Sequence, residues 1–176
     1  MEYVGTLSKS VHWISHLQRY AKQWVLEEIF RNWSQLWLDN TYGKKGFMAP
    51  RKSTLEHLEK AASAAIEKLG TDLVAIDLSE QMLLSEVFLL VSGQNERQID
   101  AIADEVERQL SLVGEKPARR EGSEHWILLD YEDLVVHIQT EEIRRYYMLD
   151  RLWNDCPTLP LKAVQDAENF RKGKSQ

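Results

Sequence analysis

The run from Val87 to Ser92, Val-Phe-Leu-Leu-Val-Ser, is apolar at odd and even positions alike. Successive side chains of a strand point to opposite faces, so this run is expected to be a central strand with both faces covered. What surrounds it must supply that cover. Ser53 followed by Glu56 has the spacing of a capping box, and Leu55, Leu58, Ala62, Ala65, Ile66 and Leu69 keep a helical period up to Gly70, a residue suited to the left-handed end of a helix. Leu73–Leu78 is a short apolar run that predicts a first strand. Beyond Ser92 and Gly93, Asn95 with Gln98 three residues on predicts a second helix, whose buried stripe is Ile99, Ile102, Ala103, Val106, Leu110 and Val113.

A loop holding Lys116, Pro117 and Arg119 to Gly122 is expected next, then a hairpin: Trp126–Asp130, a turn at Tyr131 and Glu132, and a return through Asp133–Ile138. Thr140 can cap a last helix, with Glu141 and Glu142 at its positive end and Asp155, Cys156 and Pro157 stopping it. The expected order is α-β-β-α-β-β-α, an α/β (α+β) fold with a small mixed sheet packed with helices. The tail, 156–176, is sparse in apolar residues from Leu161 onward and is expected to be loosely ordered.

Gly43 to Gly46 and then Ala49-Pro50 punctuate the chain, dividing a Trp-rich N-terminal extension (1–50) from a main domain (51–155). Residues 1 to 47 carry four of the six Trp and a net charge of +2; the whole chain's −6 leaves −8 on the remainder. Leu26, Ile29, Phe30, Trp33, Leu36 and Trp37 share one helical face. This extension is read as a helix docking on the main domain or on a second subunit, as an amphipathic helix on a membrane, or as a non-native extension preceding Met48. The acidic balance argues against a domain built to neutralise nucleic-acid phosphates. A lone cysteine, Cys156, allows no intramolecular disulfide and no Cys-based zinc site. No stretch approaches the roughly 18 to 20 apolar residues of a membrane span, and the first residues lack a secretory pattern, so a cytoplasmic protein is expected.

Motifs of nucleotide, acyl-transfer and metal chemistry are missing from the sequence. Asp130, Asp133 and His137 on the hairpin form the one enzyme-like cluster, with Asp133 and His137 on the same face as Val135. They could serve a divalent ion or a proton transfer, but aspartates flanking a turn commonly bond the backbone, and a strand histidine is commonly a hydrogen-bonded residue. His12 and His16 have metal-ligand spacing without a third ligand beside them. Lys116, Arg119 and Arg120 could touch phosphate or form a solvated loop. Trp126 and Tyr131, edged by acidic side chains, suit either packing or contact with a basic protein surface, whereas Tyr146, Leu149 and Trp153 are expected to pack.

The stretch Trp126 to Ile138, then Glu142 to Trp153, resembles the C-terminal signature of the ribosomal silencing factors of the Iojap type. Phe88 to Gly93, followed by Arg97 to Asp104, is similar to that family's central strand and helix. The resemblance spans about Ser53 to Trp153. It implies a nucleotidyltransferase-like fold without the paired catalytic carboxylates, and a translational repressor rather than an enzyme. The implied repressor needs no cofactor or metal. It binds the large ribosomal subunit through the basic ribosomal protein numbered fourteen of that subunit and sterically blocks joining of the small one, in starvation or slow growth. A homodimer is also implied; a membrane or sequence-specific nucleic-acid partner is not. Implied contact residues are Glu121, Trp126, Leu128, Asp130, Tyr131, Asp133 and His137, with Arg144, Tyr147 and Trp153 as structural signature residues. The alternative is a small metal-dependent nucleotidyltransferase-like enzyme using Asp130, Asp133 and His137. Where the family's hairpin commonly has glycine, this chain has Glu132, which raises a question about the turn.

Overall fold

The computed structural model describes residues 49–80 and 85–174. The amphipathic stripe over 11–38 and the His12/His16 pair lie outside these residues. The order is α1 (Lys52–Glu67), β1 (Thr71–Asp77), β2 (Val87–Gly93), α2 (Glu96–Ser111), β3 (Arg119–Ser123), β4 (Trp126–Asp130), β5 (Leu134–Thr140), α3 (Glu141–Tyr147), α4 (Leu149–Leu152), β6 (Thr158–Leu159) and α5 (Lys162–Gly173). The strands form one sheet ordered β3-β4-β5-β2-β1-β6. Only the central β2–β5 pair is parallel; the other neighbours are antiparallel.

The alternation expected of the central strands is what sorts the two faces. Val87, Leu89 and Val91 of β2, Leu134, Val136 and Ile138 of β5, and Ile127 and Leu129 of β4 join Leu58 and the alanines of α1 and the Ile99–Leu110 stripe of α2 in one core. Ala61, Ala62, Ala64 and Ala65 are buried on α1, and small side chains there let the helix lie close to its neighbours. The second face carries Phe88, Leu90, Ser92, Leu128, Val135, His137 and Gln139, in register across the three strands. The short helices α3 and α4 follow β5 and lie against this face, with Arg144 and Leu149 buried.

Several local expectations are corrected. No capping box forms at Ser53: the helix starts at Lys52, and the Glu86 carboxylate accepts the Arg51 N–H (2.8 Å) and the Thr54 hydroxyl (2.7 Å) from across the fold. A tertiary carboxylate has replaced the local cap. At the other end Leu69, not Gly70, takes the left-handed conformation (φ 61°), with Gly70 N–H donating to the Ala65 carbonyl. Gly70 is there for closeness, since a Cβ would lie 2.9 Å from the Ala65 oxygen and from Val91 Cγ1. Val113 lies beyond α2 and is exposed.

Two strands were not expected. The loop at Arg119 to Gly122 is strand β3, paired with β4. The tail is ordered: β6 pairs with Ala75 and Ile76 of β1, Leu161 enters the core, and Glu59 of α1 accepts the N–H groups of Lys162 and Ala163 to cap α5. Its few apolar residues suffice because a cap and a strand edge are supplied by elements distant in sequence.

Candidate functional site

The hairpin turn shows how Glu132 stands where a glycine was expected. Glu132 adopts φ 65°, and its N–H donates to Asp130 Oδ1 at 2.9 Å, while Asp133 N–H bonds the Tyr131 carbonyl and Tyr131 N–H the Leu134 carbonyl. Asp130 thus holds the turn by an Asx-type bond. Its other oxygen accepts from Arg119 Nη2 at 2.9 Å, and Arg119 Nη1 lies 3.6 Å from Glu121. Arg119 and Arg120 are therefore ion-paired strand residues. Arg120, on the opposite face, reaches Asp104 and Glu107 of α2 at 2.8 and 3.2 Å.

The candidate residues divide. Glu121, Trp126, Leu128, Asp130 and His137 share the second face, through the registers Glu121 with Leu128 and Leu128 with His137. Tyr131 belongs to the core on the other face, where burial raises its phenol pKa. Asp133 pairs with Arg51, and its carbonyl accepts the N–H groups of Glu86 and Val87. Neither ring nitrogen of His137 has a hydrogen-bond partner within the chain, so His137 is not the hydrogen-bonded strand histidine that was expected, and the Asp133–His137 pairing of the alternative enzyme reading does not form either. Among the described residues no three His, Cys, Asp or Glu side chains gather as a metal-holding group.

His137 is 3% exposed and is enclosed by rings: Phe88 edge-on at 4.9 Å between centroids and Trp126 tilted at 5.9 Å. Burial first, and then the Arg144 charge, push its pKa down to about 3 against a small opposing pull from Asp130, so it is neutral at ordinary pH. Tyr147 packs on Trp126 at 5.3 Å and Trp153 on Phe88 at 5.8 Å. Arg144, 7% exposed, has Asp150 3.6 Å from Nε, and burial lowers its pKa. All three signature residues therefore close over the second face.

Sequence reasoning missed what lies beneath them. Eight buried side-chain polar atoms among the described residues lack a hydrogen-bond partner within the chain, and seven belong to Ser92, Trp126, His137, Gln139 and Arg144. Ser92 is the register partner of Gln139, and Gln139 that of Trp126. A buried polar group left without any partner costs on the order of 1–3 kcal/mol, so each of these atoms calls for a partner from outside the chain. The available signal was Ser92 and Gln139 as polar positions on neighbouring strands buried along their whole length.

Fold and site together define a small α/β domain with a packed core on one sheet face and an aromatic, polar, partly open second face. Residues 51–176 match the sequence model of the family described as "Ribosomal silencing factor during starvation", and the chain belongs to that family. It is 36% identical over 114 residues to the ribosomal silencing factor of Halalkalibacterium halodurans, covering 64% of this chain and 97% of the relative. It is 35% identical over 106 residues to the corresponding Bacillus subtilis protein, covering 59% and 90%. Chloroplastic protein Iojap of Zea mays is 28% identical over 104 residues, covering 57% of this chain and 44% of that one. A crystal structure of a Chromobacterium violaceum protein superposes with a TM-score of 0.56 at 30% identity, covering 57% of this chain and 86% of that one. One from Bacillus halodurans gives 0.55 at 34%, covering 61% and 99%.

Proposed function

We propose that this protein represses translation by binding the large ribosomal subunit through its ribosomal protein fourteen, sterically blocking the small subunit from joining. Family membership supports the silencing role, and the open margin of the second face supports the contact. Glu121, Trp126 and Asp130 share one face there around Leu128, a half-buried aromatic and two carboxylates along the same edge, which suits a basic protein surface. Leu128 and His137 form the buried floor of that margin, so they support the contact residues rather than reach the partner. Tyr131 and Asp133 take no part in this version of the surface. The reading is of a binding protein acting in the cytoplasm; among the described residues no helix is long and apolar enough to cross a membrane.

Co-sedimentation with isolated large subunits, with intact ribosomes alongside, tests this. Wild-type protein should pellet with large subunits and not with intact ribosomes, and Trp126→Ala should weaken binding by roughly 30-fold, the equivalent of about 2 kcal/mol. Equal pelleting with both, or none with large subunits from a matched source, would refute the occlusion reading. Undiminished binding by a folded Trp126→Ala variant would remove Trp126 from the contact.

A further inference from the structure

Seven of the eight orphaned polar atoms lie along the second face, the Tyr131 hydroxyl being the exception. Ser92 is the penultimate residue of β2, Gln139 lies beside it on parallel β5, Trp126 lies beside Gln139 on β4, and Arg144 comes down from α3. Ser92 and Gln139 are fully buried and Arg144 is 7% exposed. The carboxyl ends of the two parallel strands meet here, the region where open α/β sheets commonly hold ligands. The free groups are the Ser92 hydroxyl, the Trp126 Nε1–H, both ends of the Gln139 amide, Arg144 Nη1 and the two ring nitrogens of His137; Gln139 Oε1 and one nitrogen of the neutral imidazole only accept, and the other five atoms can donate. The formal charge among them is the Arg144 cation, with Asp150 3.6 Å from Nε and not on Nη1. Donors in excess around a desolvated guanidinium call for an acceptor that carries negative charge.

We propose that Ser92, Trp126, Gln139 and Arg144 bind a small oxyanion between α3 and the carboxyl ends of β2 and β5. The Arg144 guanidinium supplies the charge, and the hydroxyl, indole and amide supply directional bonds. The seam is closed by two short helices, α3 of seven residues and α4 of four, joined at Met148, whose φ of 47° makes it a non-helical link. Entry needs only this cover to move, while the core on the other face stays intact. Trp126 is shared with the proposed ribosome contact, its indole N–H buried in this site, whereas Ser92, Gln139 and Arg144 lie beneath the cover and away from the margin, so the Ser92 and Gln139 variants test the site apart from that contact.

The test uses the full-length chain in phosphate-free buffer, with inorganic phosphate, acetate and ionic-strength-matched sodium chloride as probes. Thermal unfolding should show a saturable rise of about 3 °C or more with phosphate or acetate. In a 1H–15N spectrum the Trp126 indole resonance, assigned with Trp126→Phe, should move along the same titration curve. Whichever of the two anions acts identifies a tetrahedral or a planar oxyanion. Gln139→Leu should abolish both responses, and Ser92→Ala should weaken them at least tenfold; Ser92→Ala decides alone if Gln139→Leu does not fold. No saturable response to either anion, an equal response to chloride, or unchanged titration in a folded variant would overturn the proposal.

Discussion

His137→Leu should change the pH dependence of stability. Folded His137 stays neutral down to about pH 3, whereas in the unfolded chain a histidine takes up its proton near pH 6.5. Below pH 6.5 the unfolded state therefore binds more protons, and stability falls on acidification until the folded group titrates. For these two values the loss between pH 7.5 and pH 5.0 is about 2 kcal/mol, close to 1.4 kcal/mol per pH unit once below 6.5. Leucine has similar bulk and no proton to take up. At pH 7.5 its removal of two orphaned ring nitrogens is offset by the lost edge contact with Phe88, leaving wild type and variant within about 1 kcal/mol. At pH 5.0 the variant should gain about 2 kcal/mol relative to wild type. Urea unfolding of both proteins at the two pH values, in phosphate-free buffer, measures the double difference, from which carboxylates common to both cancel. Parallel loss of stability would show that His137 is hydrated or paired in solution and would refute the reasoning.

Three further substitutions report on the frame of the site. Gly122→Ala should cost about 3 kcal/mol in urea unfolding, because Gly122 has φ 90° and an added Cβ would overlap the Trp126 carbonyl oxygen; an unperturbed variant would mean β3 is not paired as described. Glu132→Gly should stabilise the hairpin by about 0.5–1 kcal/mol by relieving a left-handed φ, and a loss would show that the Glu132 side chain contributes. Leu161→Ala should cost about 2–4 kcal/mol, because the tail belongs to the core; a change below about 0.5 kcal/mol in chemical denaturation would contradict that packing.

Elements with a complete local pattern were legible in the sequence. The Ile99–Leu110 stripe, the Asn95 cap accepting from Gln98 N–H, the doubly apolar β2 and the β4–β5 hairpin all follow from residues close in the chain. Most of the misses share a cause, dependence on a partner far away; the left-handed Leu69 and the exposed Val113 are local errors at helix ends. Glu86 caps α1 from 32 residues off, and Glu59 caps α5 from more than 100. Arg119 and Arg120 form strand β3 without a β-rich composition because β4 offers an edge and opposing carboxylates hold both guanidinium groups. Within the site, alternation put Val135 and His137 on one face, yet nothing local showed that the Asp133 side chain would turn to Arg51. The seam was invisible for the same reason, since Ser92, Trp126, Gln139 and Arg144 meet only when three strands and a helix come together.

Arg119 also changes what the acidic margin can do. Glu121 and Asp130 invite a basic partner, but Arg119 stands between them, 3.6 Å from the first and 2.9 Å from the second, and cancels much of their field. Long-range attraction should therefore be modest, with recognition resting on Trp126 and shape. Arg119→Gln would leave two uncompensated carboxylates and keep the side chain's length. If Arg119 only tempers the margin, association with large subunits should speed up about two- to fivefold at low salt, and the gain should vanish near 0.5 M salt, where charges beyond roughly 4–5 Å are screened. Stopped-flow association across a salt series would show it. Slower association at every salt concentration would mean instead that Arg119 contacts the partner, so that the margin is read as a paired Arg–carboxylate unit and not as an acidic patch.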